Sequence, residues 1–343
     1  MQSSPRPLQF LQLPATEQKL YIEQVAQRRG LSPVIVEKDF WVCWMLGELF
    51  RSPFREHLVF KGGTSLSKVH GVIERFSEDI DLSLSPQFLG IPEPDLAVLS
   101  RNQANKWITQ AEEACSDSVR HVIGPELETR VMSALGAAAQ PWLQFERDPL
   151  TNSPVIYFHY PTSQPTGFDY LRRAVKLEFG SLTDQRPVGL HSIRPWLAES
   201  LPQAFDDWNC AVVALELERT FWEKATILHA EYHRPAEKPT PERFSRHYAD
   251  TAAIALRSDI AALVGCHELR ERVVDWKSCF FGSAWASYES AIPGSFKLVP
   301  PDSRRATLLR DYQAMRDMYL GEPLTFEQIE VALSKLENQI NAA

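Results

Sequence analysis

The chain has 343 residues, of which 44% are hydrophobic and 23% are charged, and its formal net charge is −8 at pH 7. The acidic balance argues against a protein covered in basic surface for nucleic acid, although it does not exclude a local basic groove. No apolar run approaches the roughly 20 residues of a membrane span, and the first residues have no apolar signal core. We therefore expect a cytoplasmic protein without a membrane partner. The five scattered cysteines form no Cys-x-x-Cys pair, which predicts reduced thiols rather than a zinc site or disulfides.

The first predicted elements are two helices. One covers 16–30 and stops at a glycine, and the other covers 32–51 and opens with Pro33 at its first helical position. The large aromatic residues of the second helix are predicted to pack in the core: Trp41, Trp44 and Phe50. Three consecutive charged residues of this helix are expected on a solvated or supporting face rather than as ligands: Glu37, Lys38 and Asp39.

A glycine pair follows the next predicted element, a short apolar strand over 57–61, and a short helix is predicted over 65–73. Two adjacent glycines let the backbone come close to a ligand. The side chains and amides that follow them can hold phosphate oxygens at the start of a helix. The candidate nucleotide-binding residues here are Gly62, Gly63, Thr64, Ser65 and Lys68. An exposed position without a ligand is an equally good interpretation of Lys68.

The strand predicted over 78–84 carries Asp79 and Asp81, which alternate with apolar residues. Both carboxylates therefore face one side of the strand, roughly 6–7 Å apart along the chain. Two like charges at that distance repel by about 2–3 kcal/mol at an effective dielectric near 20. A cation between them removes this repulsion, so the pair predicts a bound Mg²⁺ or Mn²⁺ ion.

The remaining elements divide the chain into two parts. Helical patterns fill 95–139, strand-like runs follow at 142–146, 154–160 and 174–180, and the pattern after about residue 200 is helical. The predicted helices of this last part cover 210–232, 244–257, 269–278, 303–320 and 326–341. We therefore predict an α+β fold. Its domains are residues 1–200 and a helical domain of residues 201–343 that contributes to the active-site cleft.

Two segments carry a family resemblance. The residues Lys-Gly-Gly-Thr-Ser-Leu-Ser-Lys at 61–68 and Ser-Glu-Asp-Ile-Asp-Leu at 77–82 resemble the AbiEii/AbiGii-type nucleotidyltransferase toxins. These toxins are a branch of the polymerase-β-like superfamily, in which a Gly-Ser-type motif precedes Asp-x-Asp. The spacing from Ser65 to Asp79 fits that pattern. The resemblance covers roughly residues 30–340 and implies a polymerase-β-like core, with a mixed sheet flanked by helices.

The resemblance also implies further site residues. Superfamily members commonly add a third carboxylate from a later strand, which maps to Glu178, and an ion pair with Lys176 is the alternative interpretation. The segment 218–229 resembles the helix that supplies a lysine, here Lys224. The segment 245–250 resembles a motif whose last aspartate acts with that lysine, although an ordinary surface pair is the alternative for both motifs. The implied catalytic set is Asp79, Asp81, Glu178, Lys224 and Asp250, with Arg246 binding nucleotide and Asp79, Asp81 and Glu178 binding metal.

The function implied by the resemblance is that of a toxin in a type IV-like toxin–antitoxin or phage-defence system. Such an enzyme would use Mg²⁺ to transfer a nucleoside monophosphate from an NTP to RNA, with the tRNA acceptor end as the expected target. Its antitoxin need not touch it. A protein or a small molecule such as an antibiotic is an alternative acceptor. A catalytically silent nucleotide-binding module is a third interpretation, against which the aspartate pair and the glycine turn both argue.

Overall fold

The computed structural model describes residues 10–149, 151–164, 173–202, 205 and 208–343. The described residues form two compact units whose segments alternate along the chain. The first unit takes its residues from Met1–Val69, Glu78–Pro92 and Gln110–Ala214, and the second from His70–Ser77, Glu93–Thr109 and Leu215–Ala343. The domain boundary at residue 200 stays a prediction.

A mixed sheet of seven strands, counted over the described residues, forms the centre of the first unit. The strands are β1 (Leu58–Lys61), β2 (Asp79–Leu84), β3 (Leu143–Arg147), β4 (Pro154–Phe158), β5 (Val175–Gly180), β6 (Val188–Ile193) and β7 (Cys210–Leu215). Their order is β3-β4-β5-β2-β1-β7-β6, so β2 lies in the middle. It pairs antiparallel with β1 and parallel with β5. The predicted α+β fold with a mixed sheet is confirmed.

Helices flank this sheet and make up the regular elements of the second unit. They are α1 (Ala15–Arg29), α2 (Pro33–Phe50), α3 (Gly62–Lys68), α4 (Arg101–Ser118), α5 (Gly124–Leu135), α6 (Trp196–Ser200), α7 (Leu217–Tyr232), α8 (Ser245–Ala255), α9 (Ile260–Val264), α10 (His267–Phe280), α11 (Asp302–Ala314) and α12 (Phe326–Ala342). Short 3-10 turns cover Phe10–Gln12, Arg55–His57, Tyr288–Ser290 and Arg316–Met318, and a π-helix covers Val119–Ile123. None of the helices in the described ranges has the length and apolar character needed to span a bilayer.

Helix α2 is enclosed on nearly all sides and packs against β2 and β5. Its aromatic residues Trp41 and Trp44 are buried, as predicted. Of the two faces expected for the charged triplet, solvated or supporting, the solvated one is wrong, because Glu37, Lys38 and Asp39 are only 2%, 1% and 2% exposed. Each of these side chains has a polar or charged partner, which offsets the cost of removing it from water.

Strand β7 corrects a second expectation. Residues 210–215 were expected to begin a long helix, but they form a strand that pairs parallel with β1, and α7 begins only at Leu217. The run Cys-Ala-Val-Val-Ala-Leu is continuously apolar, and such a run fits a buried strand as well as a buried helix. The strand does alternate in burial, with Ala211 exposed and Val213 half-buried, but these outward residues are apolar too, so the sequence shows no alternation from which to recognise it.

The second unit contains only helical elements among its described residues after Glu216. Helix α8 packs against α7, α11 and α12, and α7 also packs against α10. The buried faces of α7 and α8 supply Phe221, Trp222, Leu228, Tyr248 and Ile254 to the core. This packing sets the positions of the polar side chains that α7 and α8 also carry.

Candidate active site

The glycine turn joins β1 to α3 and lies against the aspartate strand. Gly62 has a φ of +80°, a left-handed conformation that favours glycine. A Cβ atom at this position would lie 2.0 Å from Oδ2 of Asp81, which is far inside van der Waals contact. Lys61 and Asp81 are also partners in the antiparallel register of β1 and β2. The two halves of the sequence motif are therefore in direct contact, as the site prediction requires.

The hydroxyl groups that follow the glycines have different surroundings. Thr64 Oγ1 donates a hydrogen bond of 2.5 Å to the backbone carbonyl of Asp79, which ties α3 to the start of β2. Ser65 is fully buried, and its Oγ has no hydrogen-bond partner among the described residues. A buried hydroxyl without a partner is costly, so Ser65 is suited to accept or donate a bond to a ligand. Gly63, which lies between Gly62 and Thr64 in the sequence, is half-buried.

Asp79 and Asp81 alternate along β2 with Ile80 and Leu82, which are fully buried on the other face. Burial, together with the negative charges of Asp81 and Glu78, raises the pKa of Asp79 from 3.8 to about 6. This carboxylate is thus in surroundings that penalise its negative charge. A bound divalent cation would relieve the penalty, and a pair of carboxylates is the donor set that Mg²⁺ or Mn²⁺ prefers. The observed residues therefore fit the predicted metal.

The proposed third carboxylate lies beside this pair. In the parallel register of β2 and β5, Asp81 is opposite Glu178 and Asp79 is opposite Lys176, so all four side chains share one face. Lys176 Nζ donates to Glu178 Oε2 at 2.7 Å and to Asp148 Oδ2 at 2.9 Å. Across the described ranges no group of three or more His, Cys, Asp or Glu residues has the arrangement of a metal site. Because Lys176 holds its carboxylate, a ligand role for Glu178 stays a prediction.

Lys68 is the last residue of α3 and is already paired. Its ammonium forms an ion pair with Asp39, and the two side chains are 6% and 3% exposed. It also donates to the carbonyl of Arg194 and lies 4.7 Å from the centre of the Trp196 ring. The exposed alternative is therefore wrong. A phosphate-binding role stays a prediction that requires this ion pair to open.

The second unit brings Lys224 and Asp250 together, as the resemblance implied. Lys224 Nζ on α7 donates to Asp250 Oδ2 on α8 at 2.9 Å. Arg75 holds the same carboxylate with two hydrogen bonds, from Nε to Oδ1 at 2.8 Å and from Nη2 to Oδ2 at 2.9 Å. All three residues are buried, so the surface pair considered as an alternative is wrong for Lys224 and Asp250. The bidentate arginine makes this a charge-assisted cluster with a fixed geometry.

The charges of this cluster do not balance. Arg75 and Lys224 hold the pKa of Asp250 well below its usual range, so the carboxylate stays ionised. Burial lowers the pKa of Lys224, and the nearby charges of Arg75 and Arg246 lower it further, although Asp250 opposes them. Burial and the cations Lys224 and Arg246 also hold the pKa of His247 well below 6.5. In this group of residues the cations Arg75, Lys224 and Arg246 outnumber the one carboxylate, which favours a bound anion.

Arg75 is the residue that sequence reasoning missed. It lies four residues before Asp79 in the Arg-Phe-Ser-Glu-Asp-Ile-Asp segment, but nothing local identifies its partner, which is far away in the chain. The available signal was indirect. Asp250 was expected to act with Lys224, and a carboxylate has two acceptor oxygens, so a single lysine leaves room for a second donor.

Known structures share this fold. The chain superimposes on MenT4, a nucleotidyltransferase toxin from Mycobacterium tuberculosis H37Rv, with a TM-score of 0.51 and 16% sequence identity. The match covers 94% of this chain and 90% of MenT4. At this identity the likeness shows a common fold only. Comparison with functionally curated proteins finds no match.

The sequence identifies the family directly. Residues 44–334 match the model of the family described as nucleotidyl transferase AbiEii toxin, type IV toxin–antitoxin system. This range includes the glycine turn, the aspartate strand and the Lys224 and Asp250 helices. The family resemblance found in the two motif segments is thereby confirmed, as is nucleotidyltransferase activity. The chain belongs to the AbiEii family, the nucleotidyltransferase toxins of type IV toxin–antitoxin systems.

Proposed function

We propose that this toxin transfers a nucleoside monophosphate from an NTP to RNA in a reaction that depends on Mg²⁺ or Mn²⁺. One observation supports the donor half of this proposal more than any other. The carboxylate of Asp81 lies against Gly62, beside Asp79, whose pKa is raised to about 6 by burial and by the neighbouring negative charges. Two carboxylates next to a tight glycine turn can bind a metal ion and admit a triphosphate together.

The roles proposed for the residues follow from these positions. Asp79 and Asp81 hold the cation, with Glu178 as a third ligand once Lys176 releases it. The bound cation supplies Lewis-acid neutralisation of the triphosphate charge. Gly62 and Gly63 allow the phosphates to approach the backbone, and the buried Ser65 hydroxyl donates to a phosphate oxygen. Thr64 keeps the turn aligned with β2 through its bond to Asp79.

The residues of the second unit are proposed as catalytic on the strength of the family resemblance. Lys224 carries a positive charge that Asp250 orients, and Arg246 adds a second, partly exposed cation beside it. Positive charge of this kind neutralises the negative charge that develops as pyrophosphate departs. Phosphoryl-transfer enzymes depend mostly on such positioning and electrostatics, since there is little covalent chemistry for the protein to perform.

The acceptor and the biological setting are the least direct parts of the proposal. We propose the tRNA acceptor end as the target, because the AbiEii resemblance implies it. The reaction would then take place in the cytoplasm, where it would serve toxin–antitoxin control or phage defence. The family implies an antitoxin, and we propose that it counteracts the toxin without direct contact.

A labelling experiment tests this proposal. The purified protein is incubated with each α-³²P-labelled NTP, Mg²⁺ and total RNA, and an Asp81→Asn variant serves as the inactive control. We expect label in the tRNA band with the wild-type protein only. Label in protein or in a small molecule would overturn the RNA acceptor but keep the enzyme class. Absence of label with every acceptor would overturn NTP-dependent transfer itself.

A further inference from the structure

Helix α2 carries three charged residues in a row, and all three are buried. Glu37, Lys38 and Asp39 are 2%, 1% and 2% exposed. Successive residues on an α-helix point in directions about 100° apart, so the three side chains contact three different parts of the protein. Burying a charge is costly unless it is paired, so each contact must be specific. The partners of two of them lie in the candidate active-site motif.

Lys38 is tied to the residue directly before the aspartate strand. Its Nζ donates to Glu78 Oε2 at 2.5 Å, and the two side chains are 2% and 14% exposed. Glu78 immediately precedes Asp79, the first residue of β2. An ion pair at this point fixes where the strand begins and therefore the direction in which Asp79 presents its carboxylate.

Asp39 is tied to the other half of the motif. It forms the buried ion pair with Lys68, and its Oδ2 also accepts a hydrogen bond of 2.7 Å from the backbone N–H of Trp196. Lys68 ends α3, whose first residue is Gly62. Because this helix has only 7 residues, anchoring its last residue also sets the position of the glycine turn at its start.

We propose that Lys38 and Asp39 are positioning residues that hold the aspartate strand and the glycine turn in register from a single rigid helix. This inference rests on the proposed function, because it assigns the two ion pairs to the site that binds metal and triphosphate. Neither residue touches substrate in this assignment. Lys38 acts through Glu78 on Asp79, and Asp39 acts through Lys68 on α3.

Stability alone does not account for these pairs. A buried ion pair is often no more stabilising than apolar side chains of the same volume, whereas it does impose a direction and a distance on its two partners. Glu37 provides the contrast within the same helix. Its carboxylate accepts hydrogen bonds from uncharged groups, at 2.6 Å from Thr162 Oγ1 and at 2.7 and 2.8 Å from the N–H and Oγ of Ser163. Those partners lie outside the motif.

The test measures binding by the full-length protein, with no acceptor and no turnover. Mn²⁺ binding is followed by electron paramagnetic resonance, and binding of inorganic tripolyphosphate with Mn²⁺ is followed by calorimetry. Tripolyphosphate carries the phosphate groups that all NTPs share, so the identity of the base does not matter. The variants are Lys38→Met and Asp39→Asn, with Glu37→Gln as the matched control from the same buried helix.

The sign of the effect separates positioning from simple electrostatics. Lys38→Met removes a positive charge near Asp79, so Coulomb attraction alone would make Mn²⁺ bind more tightly. Asp39→Asn removes a negative charge and frees Lys68, so direct phosphate binding by Lys68 would become tighter. If the two residues act by positioning, both variants bind more weakly. Lys38→Met then raises the Kd for Mn²⁺ about tenfold, and Asp39→Asn raises the Kd for tripolyphosphate about tenfold. Glu37→Gln leaves both constants unchanged.

Neutral pair variants cover the case in which an unpaired buried charge prevents folding. Lys38→Met/Glu78→Gln and Asp39→Asn/Lys68→Met remove both charges of each pair, and folding is checked by circular dichroism and melting. Both double variants keep the net charge of the wild type, but Lys68 is itself a candidate phosphate-binding residue, so the Lys38→Met/Glu78→Gln protein decides the matter. We expect it to bind Mn²⁺ about tenfold more weakly, as broken outer contacts of metal sites do.

The outcomes distinguish this inference from the proposed function. If the wild-type protein binds neither Mn²⁺ nor tripolyphosphate, the proposed function fails and the inference fails with it. If the wild type binds both, and folded Lys38 and Asp39 variants bind them equally well or more tightly, only the inference is overturned. A loss of affinity in Glu37→Gln as large as in Lys38→Met would also overturn it, because the effect would then follow from any change in α2.

Discussion

Gly62 and Asp81 are so close that a Cβ atom on residue 62 would lie 2.0 Å from Oδ2 of the aspartate. Only glycine leaves room for the carboxylate, and the φ of +80° at Gly62 makes the same demand of the backbone. Gly62 is thus needed to leave space for the Asp81 carboxylate, in addition to any contact that the glycine turn makes with a ligand.

Gly62→Ala is therefore expected to abolish nucleotidyl transfer, with a loss of at least about 100-fold, because Asp81 must move from its position. The control is Gly71→Ala. Gly71 also has a positive φ, of +59°, but a Cβ atom there meets nothing within 4 Å. Both variants bear similar backbone strain of about 1–2 kcal/mol, so only the contact with Asp81 differs. Equal activity in the two purified proteins would contradict the argument.

The raised pKa of Asp79 predicts how metal binding depends on pH. Its pKa of about 6 means that the carboxyl group is protonated below that pH, and the metal must displace the proton. The Mn²⁺ affinity should be constant above pH 6 to 7 and fall by about tenfold for each pH unit below it. Mn²⁺ titrations across this range check the prediction, and an affinity that starts to fall only near pH 4 would contradict it.

The same shift predicts that Asp79→Asn stabilises the metal-free protein. The folded pKa of Asp79 lies above its unfolded value of 3.8, so ionisation costs folding free energy above about pH 6 and costs none below about pH 4. We expect a gain of about 1–3 kcal/mol at about pH 8, with activity lost. Denaturation with a chelator present measures the gain. Stabilisation that persists unchanged at about pH 4 would point to another cause.

The Arg75–Asp250–Lys224 cluster predicts an order of stability among its variants. Asp250→Asn leaves two buried cations without their carboxylate and should cost about 3–5 kcal/mol. Lys224→Met leaves Asp250 with both hydrogen bonds from Arg75 and should cost less, although we expect it to abolish growth inhibition.

The control for this order is Asp259→Asn, which breaks the exposed bidentate pair with Arg257 and should leave the melting temperature unchanged. Asp250 has a depressed pKa, so its contribution is complete above about pH 4 and is lost only as the pH falls further. A folded Lys224→Met protein with full toxicity would contradict its catalytic role, and a stable Asp250→Asn protein would contradict the account of the cluster.

Lys176 and Glu178 allow a direct test of the third metal ligand. If Glu178 binds the metal, Lys176→Met frees its carboxylate and Mn²⁺ should bind more tightly, whereas Glu178→Gln should weaken binding by about tenfold or more. If Glu178 is only the ion-pair partner of Lys176, Glu178→Gln will leave the Mn²⁺ affinity near that of the wild type. Mn²⁺ titration of both variants at one pH distinguishes these outcomes.

The parts of the site that could be predicted from the sequence are those that depend on residues close together in the chain. Alternation along β2 placed Asp79 and Asp81 on one face, and the glycine pair marked the turn, because both features depend only on neighbouring residues. The partner of Arg75 and the burial of Lys38 depend on contacts between segments that are distant in the chain. The helix and strand periodicity of the sequence gives no information about such contacts. Strand β7 was mistaken for a helix for a related reason, since a continuous apolar run has no period at all.

The most direct measurement of the central claim is anomalous diffraction from crystals soaked in Mn²⁺ and an NTP analogue that cannot be cleaved. We expect a manganese peak within about 2.5 Å of carboxylate oxygens from both Asp79 and Asp81, with triphosphate oxygens on the same ion. A peak held by other residues, or a triphosphate bound away from the glycine turn at Gly62, would contradict it.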